Sequence, residues 1–372
     1  MIKKVILKAH RITVKVGSGV IANISGLNQE AVENIVKDLV YLKNLKKEVI
    51  LVSSGAIAAG AGKLNLKGNL SQIPKKQAVA AVGQGLLMYI YDKFFDKFNI
   101  LVGQILLTKD DLNNKKRYLN ARNTIFTLLK FGAIPIINEN DSVAIDELKF
   151  GDNDILSALV ALLTDSDILL ILSDIDGLYT KDPKTDKNAK LVEIVDEINE
   201  EIENMISDTV SLVGTGGMKS KISAAKIATE AGVYVLIING KKKNPIRSIL
   251  EEKGKGTLFL AKKKGSKKKH WIAHVLTPKG KVFIDDGAKK AILNHGKSLL
   301  PSGIISVEGN FEAGDVISCF DKDKVEIARG LSNYSAIEVE QIKGLKSSEI
   351  KKILGYNLYD EVIHRDNLVI LR

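Results

Sequence analysis

Two lysines stand where the chain could hold an anion. Lys15 stands next to the end of the apolar–polar alternation Arg11–Val16, which is followed by Gly17-Ser18-Gly19. Glycines there let backbone N–H groups approach an anion while the ammonium supplies a point charge, although alone this is also an ordinary strand-to-turn lysine. Lys221 lies one turn into a helical pattern opened by Gly214-Thr215-Gly216-Gly217-Met218-Lys219-Ser220, a small-residue loop whose helix N-terminus offers a second phosphate cradle. Ser53-Ser54-Gly55-Ala56 also precedes a helical pattern, as an anion pocket or a serine N-cap. Ser173-Asp174 ends the apolar run Ile168–Leu172, in reach of a nucleotide or merely at a strand's exit. Asn138, Glu139, Asn140 and Asp141 follow another apolar run, and Asp152, Asn153 and Asp154 come soon after. Such groups beside a buried strand are costly unless satisfied. They suit a ligand carrying both an ammonium and a carboxylate, or else an acidic turn network that caps the next helix. Two lysine–glycine anion sites around a polar pocket point to phosphoryl transfer.

Other motifs fail on spacing. In HWIAH, His270 and His274 are four apart, but Trp271 replaces the glutamate of a zinc-protease helix. GAIAAGAGKL places Gly62-Lys63 at the wrong distance for a P-loop, and Leu64 cannot ligate Mg²⁺. SDIDGL lacks the first carboxylate and the closing glutamate of a calcium loop. No dinucleotide fingerprint appears, and no metal site is expected from the protein's own side chains. Cys319, the single cysteine, sits in a strand-like run and reads as a small buried hydrophobe.

The elements that must position these residues alternate in type up to about residue 260. Strand-like runs are Arg11–Val16, Glu48–Val52, Ile100–Leu107, Ala133–Asn138, Ile168–Leu172 and Val233–Ile238. Helical periodicity occupies Asn28–Leu45, Ile57–Lys63, Gln77–Phe98, Tyr118–Lys130, Ile155–Leu163 and Lys219–Ala231. Alternation of this kind predicts an α/β fold, a three-layer αβα sandwich around a mostly parallel sheet, with ligands gathering at the carboxyl ends of the strands. Beyond a lysine-rich connector at 261–270, short strands at Trp271–Leu276, Lys281–Ile284, Gly303–Glu308, Asp315–Phe320 and Val325–Arg329 predict a small β-barrel-like domain over 271–372.

The chain has 372 residues, 45% hydrophobic and 27% charged, which suffices for two domains with their own cores and excludes wholesale disorder. One cysteine excludes a disulfide-stapled fold. No run reaches the roughly 18 apolar residues of a membrane span, and the lysine-studded start lacks a signal peptide's apolar stretch, so the cytoplasm is the expected location. The net charge of +11 raises a nucleic-acid reading. The lysines at 262–264 and 267–269 have no interleaved aromatic residue, however, and read first as a solvated connector.

At these residues the sequence resembles the glutamate 5-kinase family. The motifs are VKVGSG, SSGAIAAG, AAVGQG, GQILLT, LNARNT, PIINENDSVA, GDNDILSALVA, LLILSDIDGLYTKDP and GTGGMKSKISAA, followed by LLPSGIISVEGNFEAGDVI, IARGLSNYSA and ILGY, which resemble a PUA domain. One departure is Ser18-Gly19, where the family usually has two hydroxyl residues. The resemblance implies ATP-dependent phosphorylation of the γ-carboxylate of L-glutamate in proline biosynthesis, with Mg²⁺ held mainly by the ATP phosphates and proline as feedback inhibitor. It implies Lys15, Lys221 and Asp154 as catalytic residues. Ser54, Asp141 and Asn153 would bind glutamate, with Asn138 and Asp152 in support and Gly55 and Ala56 lending backbone donors. ATP would meet Lys15, Gly17, Ser173, Asp174 and Thr215 through Lys221 (Gly216, Gly217, Met218, Lys219, Ser220). It further implies a homo-oligomer, dimer or tetramer, and PUA domains often bind RNA. Aspartate is the nearest rival substrate, since N-acetylglutamate, carbamate and UMP lack the free ammonium that the acidic pocket suits.

Overall fold

The structure is a computed structural model. It describes the whole chain except residues 24–25, 67–71, 144–152, 184, 201, 203–204, 206–216, 263–275, 358 and 372. Two compact units emerge: Met1–Asp111 with Tyr118–Lys264, and Leu112–Arg117 with Gly265–Arg372. Leu112–Arg117, which lies in the alternating α/β stretch of the sequence, thus groups with the second unit.

In the first unit an eight-stranded sheet runs in the order Val102–Leu107, Ile134–Glu139, Glu48–Ser53, Arg11–Val16, Ile168–Ser173, Tyr234–Asn239, Gly256–Phe259, Ile194–Val195. The first six are mutually parallel. Gly256–Phe259 then runs antiparallel to Tyr234–Asn239. The inner strands are covered on both faces, so Ile168–Ser173 and Ile134–Glu139 are buried at every position. This is why they read as continuous apolar runs rather than alternations. Helices Gln29–Asn44, Ile73–Asp96 and Asn153–Leu163 supply much of the covering, the last almost wholly buried. An unexpected N-terminal helix, Ile2–Lys8, buries Ile6 in the same core; seven residues are too few for periodicity to reveal it.

The second unit holds a five-stranded sheet, in order Ile304–Gly309, Gly280–Ile284, Val316–Phe320, Glu326–Leu331, Leu368–Ile370, with one parallel pairing, between Gly280–Ile284 and Val316–Phe320. Two register shifts, at Phe283/Ile284 and Cys319/Phe320, bend it. The strand expected at Trp271–Leu276 lies, up to residue 275, outside the described residues. Helices there were not expected, among the described residues Asp286–His295, Ala336–Ile342 and the short Ile350–Leu354. Asp286–His295 is capped by Asp285, whose carboxylate accepts from Ala288 N, and is closed by Gly296 at φ 55°. Ala336–Ile342 carries a capping box between Ser335 and Glu338. Their end signals are explicit in the sequence, but their short apolar faces resemble strand spacing. Cys319 is fully buried in this unit's core, and burial pushes its thiol up to about 12, which leaves it unreactive.

Candidate active site

Register brings the polar strand ends into one row. Val16 lies opposite Ser53 and Leu172, Val52 opposite Ile137, and Ser173 opposite Asn239. Lys15, Ser53-Ser54, Asn138-Glu139 and Ser173-Asp174 therefore all stand at the carboxyl edge of the parallel sheet, where a doubly wound fold places its ligands. Ser54 N–H donates to the Val16 carbonyl at 3.0 Å, tying two of these ends together.

Asp154 is the hub. It sits in the first turn of the buried Asn153–Leu163 helix and is 0% exposed. One carboxylate oxygen pairs with the Lys15 ammonium; the other accepts from Lys221 Nζ at 3.2 Å and from Ser220 Oγ at 2.9 Å. Lys15 is 3% and Lys221 6% exposed. Burial works to raise the Asp154 pKa, but the two ammonium groups outweigh it and hold the carboxylate below its ordinary range. Asp154 thus gathers two buried ammonium groups from separate elements beside the strand ends. Such a cluster is suited to an anion carrying several negative oxygens. Lys221 arrives on the Met218–Glu230 helix, which opens at Gly217 and packs on the Asp154 helix.

A second, uncharged network lies beside the first. Asn153 Nδ2 lies 2.9 Å from Ser54 Oγ, 2.8 Å from Asn138 Oδ1 and 3.3 Å from the Ser53 carbonyl. Asn138 in turn donates to Gln84 Oε1 at 2.9 Å. Ser53 Oγ pairs with Tyr91 OH at 2.8 Å. Gly55, at φ 108°, starts the Ala56–Lys63 helix in a conformation that disfavours any side chain.

The structure thus brings Lys15, Lys221, Asp154 and Ser220 into one cluster, and Ser54, Asn138 and Asn153 into another. Asp141 follows in a half-buried turn after Ile134–Glu139. Gly17 N–H bonds the Leu172 carbonyl, and a side chain added at Gly19 would stand 3.9 Å from Asp174, so the departure at Gly19 leaves room beside Asp174. Ser173 Oγ donates to Asp174 Oδ1 at 3.2 Å. Lys219 is exposed, and Met218 and Ala56 begin their helices. Asp152, Thr215 and Gly216 lie outside the described residues. Sequence reasoning assigned no role to Gln84 or Tyr91. Both sit on the long Ile73–Asp96 helix seven residues apart, two turns along one face, and the one available signal was a lone glutamine between Gly83 and Gly85.

Comparison with known proteins is consistent across the chain. The Amino acid kinase family profile matches residues 10–239 and the PUA domain profile residues 280–354. The glutamate 5-kinase of Thermoanaerobacter sp. strain X514 is 53% identical over 363 residues, 97% of this chain and 98% of that protein. The glutamate 5-kinase of Geobacter sulfurreducens is 48% identical over 369 residues, 99% of each chain. Among solved structures, carbamate kinase from Giardia lamblia bound to AMP-PNP aligns with a TM-score of 0.51 at 18% identity, over 69% of this chain and 100% of that one. At that identity the likeness is one of fold.

Proposed function

The chain belongs to the glutamate 5-kinase family and is a kinase of proline biosynthesis that phosphorylates L-glutamate at the expense of ATP; we propose that the transfer, giving L-glutamyl 5-phosphate, takes place at the Lys15–Asp154–Lys221 cluster. The observation that carries this placement is one buried carboxylate gripping two buried lysines from separate elements beside the strand ends. The γ-carboxylate of glutamate is ionised at neutral pH, so no general base is needed to create the nucleophile. One of its oxygens forms the new bond to the γ-phosphorus as the bond to the ADP oxygen breaks. What remains for the protein is alignment and neutralisation of charge on the moving group. Lys15 and Lys221 supply that charge from opposite sides of Asp154, each contributing on the order of 10²–10⁴ in rate. Asp154 orients both ammonium groups.

We assign glutamate to Ser54, Asp141 and Asn153, with Asn138 and Asp152 in support and the Gly55 and Ala56 backbone as donors. ATP is assigned to Lys15, Gly17, Ser173, Asp174 and the 215–221 loop. Mg²⁺ fits as a companion of the ATP phosphates: Asp154 already carries two ammonium groups, and a cation there would face both. It would neutralise charge on the β- and γ-phosphates. Proline, sharing glutamate's ammonium and α-carboxylate, would compete for the same pocket. The boundary near residue 260, with 261–270 as connector, and a cytoplasmic location complete the proposal; no helix among the described residues is long and apolar enough to cross a membrane.

A homo-oligomer, dimer or tetramer, is supported by Val102–Leu107, which is an end strand of the sheet among the described residues, and by Tyr89, Leu101 and Phe131, all largely exposed. For the PUA domain, an RNA-binding-type domain, RNA remains the partner to test by filter binding at physiological salt. The central test is direct: protein, glutamate, ATP and Mg²⁺ in the presence of hydroxylamine should yield a glutamate-dependent hydroxamate. Absence of both hydroxamate and glutamate-dependent ADP would overturn the assignment, and an aspartate-only response would transfer it to that substrate.

A further inference from the structure

The orientation of the two site carboxamides is dictated by groups that cannot change roles. The Glu139 backbone N–H can only donate, and it donates to Asn138 Oδ1 at 2.9 Å. Asn138 Nδ2 therefore faces the other way and needs an acceptor, which is Gln84 Oε1 at 2.9 Å. Because Asn138 presents an oxygen, the Asn153 atom 2.8 Å from it is Nδ2. The Ser53 carbonyl, an acceptor only, makes the same demand from 3.3 Å. Asn153 is thereby committed to turn its amide nitrogen inward, and its Oδ1 outward from the network. That oxygen is buried and has no hydrogen-bond partner among the described residues. A buried carbonyl oxygen without a donor is costly, so a ligand donor belongs there.

From this geometry we infer that Gln84 is a positioning residue for glutamate recognition: by accepting from Asn138 it locks the amide relay that presents Asn153 Oδ1 to the substrate's ammonium group. The inference rests on the placement of glutamate at this pocket. Flipping Asn138 in the absence of Gln84's oxygen would set an amide nitrogen against the Glu139 N–H and against Asn153 Nδ2, two donor–donor contacts. Leaving it unflipped strands a buried donor, since Asn138 is fully buried. Either way the relay loses its single orientation, and Asn153 Oδ1 with it. The helix that carries Gln84 also sends Tyr91 to Ser53 two turns later, so one rigid face supports both ends of the pocket.

The test compares binding of glutamate and of glutarate, which lacks the ammonium, by calorimetry on the full-length protein, together with steady-state kinetics. Gln84→Met and Gln84→Ala should weaken glutamate binding about 5- to 100-fold, the range expected for one stranded buried donor. Glutarate binding should change less than about threefold, the glutamate KM should rise with the binding constant, and kcat should hold. Gln84→Glu, whose carboxylate still accepts from Asn138, should restore glutamate affinity to within about threefold of wild type. The inference is overturned if both Met and Ala variants bind glutamate as wild type does, if glutarate weakens in parallel, or if Glu is no better than Met. The Ala variant only shortens a half-buried helical side chain, so it keeps the test open should Met not fold. A wild-type protein that binds glutamate but forms no hydroxamate would count against the transfer reading alone; one that prefers glutarate would count against the relay.

Discussion

Lys221 and Asp154 make separable claims at the level of single residues. If Lys221 stabilises the moving phosphoryl group, Lys221→Ala should lower kcat by about 10²-fold or more, in keeping with other electrostatic stabilisers, and leave the glutamate KM nearly unchanged. A raised KM with kcat intact would make it a ground-state contact instead. Asp154→Asn keeps the shape but removes from the buried Lys15 and Lys221 the negative charge that both of them contact. Removing one partner of such a pair costs about 3–5 kcal/mol, so thermal unfolding should fall along with activity. Unchanged stability would mean that the lysines are not held by this carboxylate. Lys15 and Lys221 were legible in the sequence because two lysine–glycine sites occur together with a polar pocket, although Lys15 alone reads as an ordinary strand-to-turn lysine. Gln84 was not, because a single glutamine in a helix gives no hint of which strand end its side chain meets.

Helix packing decides how close these residues come. Gly60 and Gly83 let the Ala56–Lys63 and Ile73–Asp96 helices touch backbone to backbone: a methyl at Gly83 would lie 1.8 Å from the Ala56 carbonyl, and one at Gly60 1.9 Å from the Val79 carbonyl. That approach seats the Gly55-Ala56 helix start and Gln84 around the same pocket. Gly83→Ala must push the helices apart, costing about 1–3 kcal/mol or more by overpacking, and it should raise the glutamate KM. Gly85→Ala, two residues on, meets nothing within 4 Å and should stabilise the helix by about 0.5–1 kcal/mol. Chemical denaturation of the two variants checks the pair, and equal effects would remove the close crossing from the account. The sequence announced small residues in both helices, but only the packing separates the glycine that is required from the one that is not.

For the molecule as a whole, a buried acid far from the site ties stability to pH. Asp38, on the Gln29–Asn44 helix, accepts from Ile246 N at 2.5 Å and so joins that helix to Pro245–Leu250. Burial pushes Asp38 up to about 6 against the backbone hydrogen bonds that oppose it. With a folded pKa above the unfolded one, the stabilising contribution is complete below the unfolded value of about 4 and is lost as pH rises through about 6. Ionisation there costs about 3 kcal/mol at neutral pH by linkage. Asp38→Asn, which keeps an acceptor for Ile246, should therefore gain on wild type in thermal midpoint as pH rises from 4 to 7. A difference that stays constant over that range would return Asp38 to an ordinary carboxylate. At the same scale, every residue assigned to transfer comes from the first unit.

Much of this protein was determined by sequence alone: the alternating α/β order, the change of character near residue 260, and the polar strand ends with their two lysines. Each of these is a local pattern, set by the period of apolar residues and by glycine at chain turns. Tertiary structure decided the rest. Strand order and register bring Val16, Ser53 and Leu172 level across the sheet. Residues 67 apart in the chain, Asp154 and Lys221, become ion-paired at 3.2 Å, and Gln84 reaches Asn138 across 54 residues. Such meetings depend on which faces bury together, a property of the packed whole that no local spacing encodes.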